Sequence, residues 1–415
     1  MSRSLQKKSH LFRSVVRPLL VGAALLLPAP FTAAADFEWV GAWGAAPAYP
    51  NSEEFFGGNV RQVVGLSQGG DAVRLVISNA LGKEPLVIGA ATVAEPGKSG
   101  AEIAEGSLRD VTFGGKRTIT IGPGQVATSD PVTMPVEGLS DISVSLYVSR
   151  AVGIIATHPI ASATTYLAAG DDQSASTILE NAYESSQRYF LARIDVENPR
   201  GKTIVTLGDS ITDGKNSSPN SDSRWPDFLA ARLNEAGLTY GVVNAGIAGN
   251  RIINGLPLRQ FGPPALERLD RDVLDVPNLS YVFFMEGIND IGLPKSTGLA
   301  DQSVSAEEII GAIQQMIDRV HQQGAKIIGS TLTPFQNAAF ANYYPTEAEA
   351  KRKAVNHWIR TAGAFDTVID FDAVIRDPQN PARILEKYDS GDHLHPNDAG
   401  YKAMAQAVDP SLLSK

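Results

Sequence analysis

The pattern of hydrophobic and polar positions changes near residue 198. Before this point, short β-like segments are separated by turn residues, and few long helical periods occur. Ile142–Val148 alternates most clearly, which predicts a strand with one face in the core and one in water. We therefore predict an all-β sandwich over residues 36–198. Its strands are predicted at Val60–Leu66, Ala72–Ser78, Leu86–Ala94, Thr118–Ile121, Ile142–Val148 and Arg188–Val196.

From Asn198-Pro199-Arg200-Gly201 onward, strand-like and helix-like segments alternate. This order predicts a parallel sheet with helices on both faces, and we place this second domain at residues 199–415. Ala306–Gln323 carries apolar side chains at helical spacing and is expected to pack on the sheet. The predicted strands are Thr203–Leu207, Tyr240–Asn244, Ser280–Met285, Ala325–Thr331 and Thr367–Phe371, and the predicted helices are Arg224–Gly237, Pro263–Leu274, Ala306–Gln323, Thr346–Gly363 and one from about Asn397.

The first 35 residues have the layout of a cleaved secretory signal peptide. Five cationic residues precede an apolar region, Leu19–Leu27, and the small residues Ala33–Ala35 follow two prolines. The apolar run is shorter than the roughly 20 residues that a membrane span needs. We expect cleavage near Ala35-Asp36 and a secreted or periplasmic protein without a stable membrane anchor; an uncleaved anchor is the alternative. Without cysteine, the chain has no disulfide, thiolate metal site or lipid-anchor cysteine.

The charge balance argues against nucleic acid and anionic membranes as partners. The chain has 36 Lys and Arg residues against 45 Asp and Glu residues. Loss of the predicted signal peptide removes five cations and no anions, which leaves 31 against 45 and a net charge of −14. A protein with this charge is repelled by phosphate-rich surfaces.

Candidate chemistry begins where the first predicted parallel strand ends. Thr203–Leu207 is apolar and β-branched and stops at Gly208-Asp209-Ser210, so a serine hydroxyl lies at the carboxyl end of a strand. A helix is expected soon afterwards, at Arg224–Gly237. Open α/β sheets bind their ligands at this edge. Taken alone, the three residues are explained equally well as a turn that closes the strand.

Three further polar clusters follow later strands. Residues 244–250 follow the second strand, Gly287-Ile288-Asn289-Asp290 follows the third, and residues 392–398 lie between the fifth strand and the last helix. The carboxyl ends of parallel strands share one edge of a sheet, so these clusters are expected near Ser210. The last cluster contains an acid, Asp392, three residues before a base, His395.

With these four blocks in this order, the chain resembles the SGNH (GDSL-type) hydrolase family. The blocks are Gly208-Asp209-Ser210, Gly249, Gly287–Asp290 and Asp392–His395. The resemblance extends over residues 200–410 and implies a flavodoxin-like three-layer α/β/α fold. Together with the β-rich part before it, the chain is similar to exported family members in which a β-sandwich precedes the catalytic domain, as in some carbohydrate esterases.

The resemblance implies a serine esterase that needs neither metal nor cofactor. Ser210 is the expected nucleophile, His395 the base that accepts its proton, and Asp392 the acid that orients the imidazole. The expected oxyanion-hole donors are the Ser210 amide, the Gly249 amide and the Asn289 side-chain amide.

Two neighbouring residues compete for these roles. Gly246 is also available in the second block, and Gly249 is preferred because it is the last glycine, before Asn250. His393 competes with His395, but only His395 has Asp392 three residues before it.

Other polar residues in the blocks have further interpretations. Asp392, His393 and His395 could be metal ligands, although no further ligand set stands out. Asp209 and Asp290 are expected to hold loops by hydrogen bonds rather than to react.

No residue in the β-rich part is assigned a catalytic or binding function. A group of aromatic residues could form a platform for a sugar ring or an acyl chain, but packing in the core and at the domain interface is favoured. His158 is assigned no function, because a lone histidine is more often structural. The aromatic residues are Trp39, Trp43, Tyr49, Phe55 and Phe56.

The sequence therefore predicts an exported serine esterase that hydrolyses carboxylic esters. Short acyl or acetyl groups, including acetyl groups on carbohydrate, are the favoured substrates. A lipid-directed esterase or lysophospholipase, an acyltransferase to a sugar hydroxyl and a non-catalytic glycan-binding protein are the alternatives. The oligomeric state stays open, as does whether the β-rich part binds substrate or only supports the second domain.

Overall fold

The computed structural model describes residues 38–48, 54–150, 152–255 and 257–413. The predicted signal peptide, residues 1–35, lies outside these ranges, as does Tyr49. Within them, no helix is long and apolar enough to cross a membrane.

The first half of the described chain is built from antiparallel strands. A five-stranded sheet has the order β1-β16-β4-β8, with β9 also on β4, and a seven-stranded sheet has the order β14-β13-β3-β10-β5-β6, with β7 also on β5. The apolar residues of both sheets form one core, which is the all-β sandwich predicted from the sequence. The strands are β1 Trp39–Gly44, β2 Glu54–Phe55, β3 Gly58–Gly65, β4 Gly70–Asn79, β5 Leu86–Ala94, β6 Arg109–Val111, β7 Ile119–Ile121, β8 Gln125–Thr128, β9 Val132–Val136, β10 Asp141–Val148, β11 Gly153–Ile154, β12 Thr157–His158, β13 Thr165–Ala168, β14 Tyr183–Ser185, β15 Arg188–Tyr189 and β16 Leu191–Glu197.

The strands missed by the sequence analysis are mostly two to five residues long. Such segments are too short for alternation to separate them from turns. One predicted strand, Arg188–Val196, is divided into β15 and β16 because Phe190 has a φ of +61°. The six-residue β1 was missed for another reason: it is buried along nearly its whole length, so it lacks the alternation of a half-exposed strand.

The second half is a parallel sheet of order β18-β17-β19-β20-β21, which is the flavodoxin-like order. Separate apolar cores cover its two faces, with Val205 on one side and Ile204 on the other, so the three-layer prediction is confirmed. The strands are β17 Lys202–Gly208, β18 Tyr240–Gly246, β19 Leu279–Met285, β20 Lys326–Ser330 and β21 Thr367–Ile369. The helices are α1 Ser210–Asp213, α2 Trp225–Glu235, α3 Ala265–Leu269, α4 Ile288–Ser296, α5 Ala306–Gln322, α6 Ala348–Thr361, α7 Phe371–Ile375 and α8 Asp398–Gln406, with a π-helical segment at Asp270–Leu274 and 3₁₀ turns at Arg259–Phe261, Ala300–Gln302, Glu386–Tyr388 and Pro410–Leu413.

The longest helix, α5, shows how the sequence encodes this half. Ser305 caps it by accepting a hydrogen bond from the Glu308 amide, and the Glu308 side chain accepts one from the Ser305 amide. Ile309, Ile313 and Val320 are fully buried, as the helical spacing predicted. The apolar face with which α5 packs against the sheet can therefore be predicted from the sequence.

The β-rich half packs tightly against the edge strand β18 and the start of its neighbour β17. The Gly41 amide of β1 donates a hydrogen bond to Thr203 Oγ1 (2.9 Å), and Ser67 Oγ accepts one from the Val242 amide (2.7 Å). A Cβ atom on Gly241 would lie only 2.0 Å from the Gly41 carbonyl oxygen. Together the described residues form one compact unit, so the proposed boundary at residue 198 divides the sequence without separating the two halves in space.

This close approach predicts that Gly241→Ala lowers stability. The added methyl must push β1 and β18 apart, and overpacking of this kind costs about 1–3 kcal/mol. The matched control is Gly311→Ala in the exposed middle of α5, where the new Cβ meets no heavy atom within 4 Å. That change should raise the free energy of unfolding by about 0.5–1 kcal/mol. Urea denaturation of both variants measures the effect, and a Gly241→Ala protein as stable as the wild type would contradict the packing.

Candidate active site

Ser210 is the first residue of the one-turn helix α1, immediately after β17. Asp209 caps this helix, and its Oδ1 accepts a hydrogen bond from the Ile211 amide (2.9 Å). Only glycine fits at position 208, because a Cβ there would lie 2.3 Å from Thr212 Oγ1. The sequence analysis missed this short helix, whereas the helix that it predicted at Arg224–Gly237 is present as α2. The overlooked signal is Asp209 itself, a capping residue before a helix too short to show periodicity.

His395 lies between Ser210 and Asp392. Its Nε2 is 2.8 Å from Ser210 Oγ, and its Nδ1 is 2.6 Å from Asp392 Oδ2. The side chains of Ser210 and His395 are both buried, whereas Asp392 is partly exposed. The structure thus brings Ser210 into contact with a block that lies 182 or more positions later in the sequence and contains both Asp392 and His395.

Asp392 is held in place by four hydrogen-bond donors. Its Oδ1 accepts from the amides of Leu394 (3.0 Å) and His395 (2.8 Å), and its Oδ2 also accepts from Asn216 Nδ2 (2.8 Å). Burial alone would raise the pKa of Asp392, but the hydrogen bonds and the charge interaction with His395 hold this pKa well below its usual range. Asp392 is therefore a carboxylate that can only accept hydrogen bonds. Asn216 was missed by the sequence analysis, since nothing in its neighbourhood distinguishes it from other loop asparagines.

His393, the competing histidine, faces another acid. It is half exposed, and its Nδ1 lies 2.5 Å from Asp389 Oδ2. Its backbone has a φ of +60°, which directs it differently from His395 although only one residue separates them. In the described part of the chain, no group of three or more His, Asp or Glu side chains is arranged to hold a metal ion.

Of the predicted oxyanion residues, Asn289 near the start of α4 is joined by a hydrogen bond to the loop that contains Gly249. Asn289 Nδ2 donates to the carbonyl oxygen of Asn250 (2.8 Å), which directly follows Gly249, and Asn289 Oδ1 accepts from the Tyr343 hydroxyl (2.6 Å). These two contacts fix which way the Asn289 amide faces. Gly249 has a φ of +77°, and a Cβ there would lie 2.2 Å from the Phe261 ring. Position 249 therefore admits only glycine.

Gly246, the competing glycine, ends β18 and has a different place. A Cβ on Gly246 would lie 2.3 Å from the Asp213 amide nitrogen. Because glycine has no Cβ, α1 can lie directly against the loop that follows β18. This packing gives Gly246 a structural role.

Beneath these loops lies Arg268 of α3, a fully buried residue that the sequence analysis did not single out. Its guanidinium donates to the carbonyl oxygens of Gly208 (3.1 Å) and Ala245 (2.6 Å) and to Asn250 Oδ1 (2.8 Å). One cation therefore satisfies acceptors at the ends of β17 and β18 and in the loop that contains Gly249.

Arg268 lies 3.4 Å from Asp272, and three further buried carboxyl groups, Asp209, Glu286 and Asp290, lie close to one another beside it. Asp290 accepts hydrogen bonds from the amides of Ile252 and Ile253 and so holds that loop as expected, whereas the hydrogen bond of Asp209 caps α1. Burial raises the pKa of Asp209 to about 7 and that of Asp290 to about 6. Burial also raises the pKa of Glu286, which lies 3.8 Å from Arg268. Proton uptake by these acids limits the net charge buried under the site.

Two aromatic residues on the segment after β20 contact residues of the candidate site, Phe340 at His395 and Tyr343 at Asn289. Phe340 is 45% exposed, and its ring stands perpendicular to that of His395 at a centroid distance of 6.3 Å. The Ala339 amide donates to the carbonyl oxygen of Asp392 (2.9 Å), which anchors this segment beside the triad. Tyr343 is buried and bonds to Asn289. Phe340 therefore offers an exposed apolar surface beside His395.

The two tryptophans of the β-rich half are used in packing. Trp43 is buried in the sandwich core, with the Arg188 guanidinium 5.7 Å from its ring centroid. The Arg74 guanidinium lies 4.4 Å from the ring centroid of Trp39. These contacts favour the packing interpretation over a binding platform.

Comparison with known proteins gives the family of the second half. Residues 206–403 match the sequence model of the GDSL-like lipase/acylhydrolase family. No curated protein sequence matches the chain. One similar solved structure is the acetyl xylan esterase AlAXEase, which is 21% identical over 49% of this chain and 96% of that chain, with a TM-score of 0.37. Another is the M. smegmatis aryl esterase, which is 17% identical over 52% of this chain and 99% of that chain, with a TM-score of 0.41. A carbohydrate acetylesterase family member from Sinorhizobium meliloti is similar as well, with 19% identity over 51% of this chain and 98% of that chain and a TM-score of 0.42.

Residues 206–403 therefore belong to the GDSL-like lipase/acylhydrolase family, in agreement with the resemblance seen in the four sequence blocks. The protein is a carboxylic ester hydrolase.

The raised pKa of Asp209 predicts how stability depends on pH. Between about pH 4, where the unfolded carboxyl ionises, and pH 7, the folded protein binds more protons than the unfolded chain, so this group lowers stability as the pH rises. Asp209→Asn keeps a capping oxygen but cannot ionise. Its free energy of unfolding relative to the wild type should therefore increase across this range, by about 1.4 kcal/mol for each unit of pKa difference.

Urea denaturation of the two proteins at pH 5 and pH 8 measures this difference. A constant difference between the wild type and Asp209→Asn at both pH values would show that Asp209 ionises normally.

Proposed function

We propose that this hydrolase is an exported serine esterase that cleaves carboxylic esters through an acyl-enzyme on Ser210. The observation that carries the proposal is the continuous chain of contacts from Ser210 Oγ through His395 to Asp392. Because Asp392 can only accept hydrogen bonds, Nδ1 of His395 carries the proton, and Nε2 of the neutral ring presents its lone pair to the serine hydroxyl. This is the arrangement that activates a serine nucleophile.

In the proposed reaction, Ser210 Oγ bonds to the ester carbonyl carbon as its proton passes to His395 Nε2. The carbonyl oxygen becomes negative and accepts hydrogen bonds from the Ser210 and Gly249 amides and the Asn289 side chain. Asp392 stabilises the imidazolium. The bond to the leaving oxygen then breaks, and His395 protonates that oxygen to give the alcohol. Water, deprotonated by His395, attacks the acyl-enzyme, and return of the proton to Ser210 releases the acid.

Short acyl groups are the proposed substrates, with acetyl groups on carbohydrate included. The supporting features are aromatic rings close to the reacting groups: Phe340 stands beside His395, and Phe261 packs on Gly249. Such surfaces suit a small acyl group or the face of a sugar ring.

Export is proposed from the layout of residues 1–35 alone. A protein recovered outside the cytoplasm whose intact mass still includes these residues would contradict cleavage near Ala35-Asp36.

The test of the mechanism is hydrolysis of p-nitrophenyl esters from acetate to palmitate, with a chelator present. Ser210→Ala and His395→Asn should lower kcat by about 10³–10⁶, because each removes a member of the triad. His393→Asn is the matched control, since His393 pairs with Asp389 instead, and it should keep near-wild-type kcat. The chain-length profile ranks short acyl groups against lipid-like ones.

The proposal fails if Ser210→Ala is as active as the wild type. Activity with palmitate alone would favour a lipid-directed enzyme, and acyl transfer to an added sugar in place of release of free acid would favour a transferase. Glycan binding without turnover of any ester would favour the non-catalytic alternative.

A further inference from the structure

The residue that ends helix α1, Asp213, connects the nucleophile to the proposed oxyanion loop. It lies three residues after Ser210, and its side chain is 1% exposed. Its Oδ2 accepts a hydrogen bond from the Ala248 amide (2.9 Å), directly before Gly249. One carboxylate therefore links the helix that begins with the nucleophile to the backbone that carries a proposed oxyanion donor.

The other oxygen of Asp213 faces a residue from the β-rich half. Asp213 Oδ1 lies 2.9 Å from Nε2 of His158 on β12, and the His158 side chain is 5% exposed. A buried carboxylate is unfavourable unless it is paired and hydrogen-bonded. Arg224 lies close enough to affect both residues electrostatically, but its guanidinium hydrogen bonds go to Asp227. His158 is thus the hydrogen-bonded cationic partner of Asp213.

The surroundings of the imidazole require a proton on both ring nitrogens. Nδ1 lies 2.9 Å from the carbonyl oxygen of Ala46, and Nε2 lies near both Asp213 Oδ1 and the carbonyl oxygen of Ile160 (3.1 Å). All three oxygens can only accept, so a neutral ring would direct a lone pair at one of them. Burial opposes the charge, but the attraction of Asp213 and the hydrogen bonds outweigh it, so the pKa of His158 lies above its ordinary value.

A second contact holds the same loop from the same side. Ala46 and Ala48, which follow β1, form a small apolar cluster with Ile247, the residue before Ala248. The Ala48 amide also donates to the carbonyl oxygen of Thr157, beside His158 (2.9 Å). The β-rich half therefore holds the loop through an ion pair and through apolar packing.

We propose that His158 is a positioning residue for catalysis, supplied by the β-rich half, which holds Asp213 so that the Ser210 helix and the Ala248–Gly249 backbone keep their mutual geometry. The inference rests on the proposed serine mechanism. It gives the β-rich half a direct part in building the catalytic centre, where the sequence had assigned His158 nothing.

Two substitutions separate the contacts that His158 makes. Glutamine places its amide nitrogen about as far along the side chain as Nε2, so His158→Gln keeps a donor for Asp213. Asparagine reaches only as far as Nδ1, so His158→Asn keeps a donor for Ala46 and leaves Asp213 unpaired. The matched control is His321→Asn, which breaks another His–Asp pair (2.9 Å to Asp366) at the opposite edge of the sheet, before β20 and β21 begin.

The measurement is kcat and KM with p-nitrophenyl acetate, per active serine counted by titration with an organophosphate. His158→Asn should lose about 10–100-fold in kcat with KM unchanged within about 2-fold, because small misplacement of reacting groups has effects of this size. Inhibition by phenylboronic acid, whose tetrahedral serine adduct uses the oxyanion donors, should weaken in parallel. His158→Gln should lie within about 5-fold of wild-type kcat, and His321→Asn should match the wild type.

Counting active serines removes the effect of unfolded protein, so a purely structural role would leave kcat per active serine unchanged. Wild-type kcat per active serine in His158→Asn, with Ser210→Ala inactive, would overturn the role of His158 and leave the serine mechanism intact. If His158→Asn does not fold, an equal loss of kcat in His158→Gln and His321→Asn would overturn it as well. Wild-type turnover in Ser210→Ala would overturn the serine mechanism and this inference together.

Discussion

The buried guanidinium of Arg268 is the interaction on which the active-site edge of the sheet depends. Where β17 and β18 end, the carbonyl groups of Gly208 and Ala245 both face this guanidinium, and the Gly208 carbonyl also accepts from the Ile247 amide (3.0 Å). Arg268 bonds to both and also to the Asn250 side chain, so one rigid, planar group sets the distance between two strand ends and a loop. The serine helix starts two residues after Gly208, and Gly249 directly precedes Asn250. The positions of Ser210, the proposed nucleophile, and of a proposed oxyanion donor therefore both depend on the same cation.

Burying this cation requires neighbouring negative charge, and Asp272 and Glu286 lie 3.4 Å and 3.8 Å from it, with Asp209 and Asp290 as further buried carboxyl groups. Glu286, Asp209 and Asp290 all lie close enough to affect one another, and burial raises the pKa of each. Protonation of some of these carboxyl groups reduces the net negative charge that is buried around the arginine. A buried ion pair contributes little net stability compared with apolar packing, but loss of one partner costs about 3–5 kcal/mol. The cluster thus fixes geometry more than it adds stability, which suits a site whose reacting groups must be held within narrow limits.

The sequence predicted the parts of this architecture that are encoded locally. β17, β19 and α5 were found within one or two residues because each is a continuous apolar run or a periodic helix, and the proximity of Ser210, His395 and Asp392 followed from blocks at strand ends. Arg268 and Asn216 escaped prediction for a physical reason. Their roles come from contacts with residues 60 and 176 positions away in the chain, and an arginine on a helix normally indicates a solvent-exposed face.

Helix α1 shows most clearly why long-range contacts decide the site. A helix of four residues cannot hold its own conformation, because nucleation is unfavourable without tertiary support. Its start is fixed by the Asp209 cap and the close packing of Gly208. Its end is fixed by Asp213, bonded to His158 and Ala248, and by the Gly214 carbonyl, which accepts from Ser162 Oγ (3.1 Å). Two of these partners belong to the β-rich half. The orientation of the serine is therefore set by both halves of the chain, although the family match covers only the second.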